Sequence, residues 1–198
     1  MKKLAMFIVI FCSASVLFGQ NSDPNLREYN QQRIQKTKTG MIILGSWAAA
    51  NLLSSPVLAG RANGSDKYFH QMNGLWNLVN LGIAGAGYLS LAKEDLSALT
   101  LSQSVLEQQK IEKLLLFNTG LDVAYMLGGL YMIERSKNVT KNADRLKGFG
   151  KSVVLQGGFL FAFDLIFYLT MNNHGKGVLS LLSKVQLTPN SVGMVLKF

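Results

Sequence analysis

Residues 114–133 read LLLFNTGLDVAYMLGGLYMI, and residues 152–171 read SVVLQGGFLFAFDLIFYLTM. Each run holds about twenty mostly apolar residues, enough to cross the hydrocarbon layer of a bilayer as a helix. Each also carries one carboxylate near its middle, Asp122 in the first and Asp164 in the second. An ionisable side chain at the bilayer centre costs about 3 kcal/mol even on the most lenient insertion scale, so such residues face a bundle interior or a wet cavity and mark a site. These two stretches set the fold class and show where to look for function.

Two further apolar runs lie upstream. Residues 41–60 form the first expected span, in which Trp47 and Asn51 share a face at i, i+4 and Pro56 implies a kink or an early helix end. Residues 69–92 form the second, with Gly82, Gly85 and Gly87 as small residues that permit close helix approach in lipid. The turn residues Asn63-Gly64-Ser65-Asp66 separate these two runs. The charged, amphipathic stretch 93–113 is expected at the interface or as an outward extension of the third span. Polar residues 21–39 read as a short surface helix ending at Gly40, and 172–177 read as a break after the fourth span. Residues 181–187 and 192–198, separated by Thr188-Pro189-Asn190-Ser191, suggest a short hairpin. One hairpin does not close a barrel, and the four long apolar runs are helical in length. The expected architecture is therefore all-α. It comprises a signal segment over 1–20, a polar pre-helix segment over 21–39, a four-helix transmembrane bundle over 40–174, and a tail with a short C-terminal β-hairpin over 175–198.

Composition agrees with a membrane protein: 48% of residues are hydrophobic and only 16% charged. Residues 1–20 combine Lys2 and Lys3 with an apolar core from Leu4 to Phe18 and read as a secretory signal, cleaved after Gly19 or Gln20, with an uncleaved first helix as the alternative because Leu17-Phe18-Gly19 is a poor small-x-small site. Cys12, the sole cysteine, falls inside that segment, which excludes disulfides and thiol catalysis from the mature chain. Losing the two lysines takes the net charge from +9 to about +7. Much of that surplus sits in one loop, at Arg135, Lys137, Lys141, Arg145, Lys147 and Lys151, against Glu134 and Asp144. Such a loop suits a cytoplasmic face and anionic headgroups, and no nucleic-acid partner is expected. The expected partners are the bilayer and a second copy or another membrane protein.

Depth along the membrane brings the polar residues together. At about 1.5 Å per residue, Asp122 and Asp164 both lie roughly 11 to 12 Å below the same boundary of the apolar layer. Asn51 and Asn80 fall roughly 15 to 18 Å deep, so each helix brings an amide or carboxylate to mid-membrane. His70, Asn73, Asn77 and Asn80 recur at i, i+3, i+7 and i+10 on one face of the second span, and Asn118, Asp122 and Tyr125 share a face of the third. Interhelical hydrogen bonds account for most of the asparagines as bundle-holding groups. The aspartates differ, because no lysine or arginine lies within any span to neutralise them, and two facing carboxyls can share one proton. The candidate ligand- or proton-binding residues are Asp122, Asp164, Asn51, Asn77, Asn80, Asn118 and Tyr125.

Several chemistries are excluded. His70 and His174 fall at opposite membrane sides, which prevents them from ligating one haem within a monomer, and nothing supplies three zinc ligands at one depth. Phosphate-binding glycine loops, nucleophile elbows and HExxH helices are all absent. No cofactor, metal or enzymatic activity is expected.

The run Tyr68-Phe69-His70-Gln71-Met72-Asn73 with Trp76-Asn77 and Asn80, together with Ser46-Trp47-Ala48 and Asn51, resembles an uncharacterised family of small bacterial four-span membrane proteins, a domain of unknown function. The resemblance implies an integral membrane protein of a bacterial cell envelope, in the inner membrane and with an envelope protein as a further partner, with no assigned activity, and it carries over no catalytic residue. Two functions compete: a bundle whose central polar cluster binds a proton, cation or small polar ligand, and a non-catalytic membrane scaffold or assembly subunit. A lipid-directed intramembrane enzyme is disfavoured, because His70 is about 12 Å or more in height from Asp122.

Overall fold

The computed structural model describes residues 24–95, 99–182, 185–188 and 191–194. The signal segment and Cys12 lie outside the described residues. Four helices make up the body: α1 (Pro24–Arg61), α2 (Gly64–Ala92), α3 (Leu101–Ser136) and α4 (Ala143–Leu182). All four are long and apolar enough to cross a membrane. The strands β1 (Val185–Thr188) and β2 (Ser191–Met194) pair antiparallel, with Val185 opposite Met194 and Thr188 opposite Ser191.

The distribution of side chains is inverted relative to a water-soluble bundle. Asn30, Asn77, Ser104, Ser152 and Gln156 are fully buried, whereas Leu53 is 77% exposed and Leu75, Val79, Phe117 and Ile166 also point outward. In lipid the hydrophobic effect does not draw leucines together, so polar groups gather inside and apolar ones cover the perimeter.

All four helices run longer than the spans expected of them, α2 by taking in Gly64-Ser65-Asp66, which were expected as turn. The polar segment 24–39 and the first span are one helix, because Asn30, Arg33 and Thr37 continue the buried stripe that Leu44 and Ala48 extend. Gly40 does not end this helix. It is a contact, since a Cβ there would stand 2.7 Å from the Phe167 ring. Pro56 is carried within α1, which continues to Arg61. α3 starts at a capping box: Gln103 N–H donates to Thr100 Oγ1 at 3.3 Å, and Thr100 N–H donates to Gln103 Oε1 at 2.9 Å. The stretch 93–113 thus splits into a connection and an outward extension of the third span. α4 runs straight through 172–177, where Gly175 packs against Gln108 and Glu112 and Val178 is buried. Contacts with the extended α3 there offset the weak helix propensity of Asn and Gly.

α1 packs along α2 and α3 along α4, and the two pairs join chiefly where α2 meets α4. Two backbone contacts leave no room for a side chain: Gly148 of α4 lies against the Ser65 carbonyl oxygen of α2, and between α3 and α4 a Cβ on Gly150 would stand 2.6 Å from the Gly129 carbonyl oxygen and one on Gly129 would stand 2.7 Å from the Gly150 oxygen. Gly82 and Gly85 play no such role, since each faces open space on the outer side of α2. An apolar cluster of Leu115, Phe167 and Met171 closes the α3–α4 seam.

Candidate functional site

The mid-membrane polar residues divide into two groups. The first is a hydrogen-bonded network that ties α1, α2 and α4 together. Trp47 Nε1–H donates to Gln156 Oε1 at 3.0 Å, and Gln156 Nε2–H donates to Asn73 Oδ1. Asn73 Nδ2 donates in turn to Asn51 Oδ1 at 2.7 Å and to Ser55 Oγ at 3.3 Å. Asn51 and Asn77 each also donate to a carbonyl four residues back, those of Trp47 and Asn73. The indole of Trp47 stacks on Phe159 with ring centroids 4.0 Å apart, which fixes its N–H toward Gln156. Asn51 is therefore spent on helix register, whereas among the described residues Asn77 bonds only within its own helix and keeps its buried Oδ1 without a partner.

The second group lines a cavity. α2 and α3 make little direct contact, and the gap between them holds about 500 Å³, floored by Leu160, Phe163 and Asp164 of α4 with Leu44 of α1 at one side. Asn80, Asn118, Asp122, Tyr125 and Asp164 all border it. Asp122 is 2% exposed and Asp164 6%, and their carboxyl groups meet within hydrogen-bonding reach. Among the described residues no amide, hydroxyl or cation donates to Asp122 Oδ2, and the buried Asn80 Nδ2 has no acceptor. The mouth of the cavity is apolar, with Leu75, Val79, Ile83 and Leu121 turned outward, so it opens sideways toward the surrounding lipid. Trp76 and Tyr125 meet edge to face across this gap, with centroids 5.0 Å apart.

Ion pairs among the described residues lie at the ends of the bundle, joining Arg33 to Glu94, Lys110 to Glu107, Lys137 to Glu134 and Lys151 to Asp66. None reaches the carboxyl pair. Sequence reasoning missed the polar box at the end that holds the α2–α3 connection. Arg33 is only 1% exposed there, bound to Glu94 and to Asn30 Oδ1, while Asn30 Nδ2 donates to Ser104 Oγ at 2.7 Å. The signal was present as the spacing of Asn30, Arg33 and Thr37 in step with Ile34 and Leu44. Beside this box Tyr29 stacks on His174 at 4.3 Å. Burial pushes the Tyr29 hydroxyl up to about 12 and the His174 imidazole below its ordinary value. At the other end, Lys151 beside Asp66 holds that carboxyl below the usual range. His70 lies in the second turn of α2 and His174 near the far end of α4, so the two histidines sit toward opposite ends. Among the described residues no group of three His, Cys, Asp or Glu could hold a metal ion.

The model of a family of unknown function, DUF6992, matches residues 43–165. That segment contains every residue bordering the cavity and the whole Trp47–Gln156–Asn73 network, whereas Tyr29, Arg33 and His174 fall outside it. Comparison with curated proteins and with solved structures finds no match.

Proposed function

We propose that this chain, which belongs to the DUF6992 family of unknown function, is a non-enzymatic integral membrane protein that holds a proton or small cation at the Asp122–Asp164 pair. One observation carries the reading: two buried carboxyls in mutual reach at the floor of a mid-membrane cavity, with no lysine or arginine beside them. Such a pair is most economically neutralised by a proton between its oxygens or by a cation with the Asn118 amide as a further ligand. The unpartnered Asn80 donor and Asp122 acceptor suit a ligand that both accepts and donates a hydrogen bond, such as a water or hydroxyl accompanying the charge. An envelope location, in the inner membrane, accords with this role.

Thermal unfolding of the purified chain in lipid, run across pH and across lithium, sodium and potassium chlorides, tests it. A ligand that binds only the folded state at a hundred times its Kd adds about 2.7 kcal/mol. The midpoint should therefore respond to pH or to one cation in the native chain, and this response should vanish in Asp122→Asn and Asp164→Asn. An identical response in all three proteins would overturn the reading and favour the alternative, a non-catalytic scaffold or assembly subunit. That alternative draws on the cation-rich loop between α3 and α4.

A further inference from the structure

A second groove lies at the end of the bundle that carries the α1–α2 turn and the α3–α4 loop. It holds about 680 Å³ between α1, α2 and the start of α4, and it is chemically two-sided. Arg145, Asn142 and His70 border its outer part, while Leu52, Leu75 and Leu78 border the part running toward the bundle centre. Leu78 lies nine residues past Phe69, where the apolar run of α2 begins, so at about 1.5 Å per residue the apolar wall reaches roughly 13 Å into a hydrocarbon layer about 30 Å thick. Leu75 and Leu78 are both more than half exposed, so this wall is open to the bilayer.

The polar part is arranged for an anion. The Arg145 guanidinium lies over the Phe149 ring, its central carbon 5.1 Å from the centroid, and Phe149 is itself held edge-on by Tyr68. The guanidinium's planar fork of N–H donors matches phosphate oxygens. His70 keeps Nδ1 buried without a hydrogen-bond partner. Asn142 turns the chain in a left-handed conformation, φ 63°, to present the start of α4 beside the groove. This end of the bundle also carries an excess of positive charge. The six cations of the 135–151 segment plus Arg61 and Lys67 make eight, against Asp66, Glu134 and Asp144.

We infer that this groove is a binding site for one anionic phospholipid, with its phosphate held by Arg145 and His70 and an acyl chain laid along Leu52, Leu75 and Leu78. A cationic head over a long apolar wall that faces lipid fits an amphiphile of the bilayer better than a soluble anion. The site borders the carboxyl cavity only at Leu75 and does not depend on what that cavity holds.

Native mass spectrometry of the full chain in neutral detergent, titrated with phosphatidylglycerol, phosphatidylcholine or inorganic phosphate, tests the assignment. The expected result is one retained phosphatidylglycerol per chain, weakened about tenfold by Arg145→Gln and less than about twofold by Lys147→Gln, an exposed cation outside the groove. Leu78→Gln, which leaves the headgroup contacts intact, should weaken it as well, and the thermal midpoint of each variant confirms that it is folded. Equal losses from Arg145→Gln and Lys147→Gln would mean diffuse charge attraction and overturn the site. Equal retention of phosphatidylcholine, or displacement of the lipid by inorganic phosphate, would overturn the assigned ligand.

Discussion

Replacing Gln156 with alanine should destabilise the bundle far more than replacing either aspartate with asparagine. Gln156 is fully buried and is the only link from α4 to the Trp47 indole N–H and the Asn73 side-chain oxygen among the hydrogen bonds described. The substitution removes both bonds. Each interhelical hydrogen bond in a membrane contributes about 0.6 kcal/mol on average and up to about 1.7, so the pair accounts for roughly 1 to 3 kcal/mol. The void left by truncation adds about 1 to 2 kcal/mol, at the lower end of values for large-to-small substitutions because lipid-embedded helices can close part of it. Asn73 keeps its bonds to Asn51 and Ser55, so α1 and α2 stay paired and the loss falls on their joint with α4. The expected total is about 2 to 5 kcal/mol, read as a shift in the denaturant or thermal midpoint of the purified chain in mixed micelles. Trp47 fluorescence should change with it, since the indole loses its partner. A loss below about 0.5 kcal/mol would refute the view that this network, and not the carboxyl pair, fixes the register of the helices.

Three other outcomes follow from the packing and the charge distribution. Gly150→Ala would push a methyl to within 2.6 Å of the Gly129 carbonyl and 3.0 Å of the Ile133 nitrogen, backbone atoms that do not give way, at a cost of about 1 to 3 kcal/mol; Gly85→Ala, which meets nothing, should be tolerated, and thermal melts of the two variants compare them directly. Arg33→Met should cost about 1 to 3 kcal/mol in the same assay, tempered because Glu94 is partly solvated, and adding Glu94→Gln should recover part of the loss. Tyr29 titrates near 12 in the fold against about 10 in an unfolded chain. A raised folded value favours the neutral hydroxyl, so this contribution is complete below pH 10 and is lost as pH rises from about 10 through 12. Ultraviolet difference titration should place the phenolate midpoint there, and Tyr29→Phe should remove that loss of stability.

Depth was legible in the sequence and azimuth was not. Counting residues from the ends of two apolar runs put Asp122 and Asp164 at one height, and the structure sets their carboxyls in mutual reach. The same count put Asn51 and Asn80 at mid-membrane with them, yet Asn51 bonds into the Trp47–Gln156–Asn73 network while Asn80 borders the cavity, because a residue's height says nothing about which neighbour its face meets. That depends on the order in which helices pack, and the joining of α2 to α4 left no mark in the local pattern. Gly82 and Gly85 show the same gap: small residues permit close approach, but the approach occurs at Gly129 and Gly150 between α3 and α4 and at Gly148 against Ser65 of α2. A helix was legible before Gly40, but its burial and its continuation into the first span were not. Asn30, Arg33 and Thr37 form a polar stripe that reads as solvated, and it is buried only because Ser104 and Glu94 come to meet it from elsewhere in the chain.

The central claim is that Asp122 and Asp164 act as one unit in holding a proton or cation. Infrared difference spectroscopy of the carboxyl bands, taken through a pH titration of the chain in lipid bilayers, measures this directly, with the two asparagine variants assigning the bands. The account predicts two coupled steps in the native protein, and a step for the remaining aspartate that moves when its partner is replaced. Two steps that keep their positions in the single variants would show that the carboxyls titrate independently and would contradict the claim.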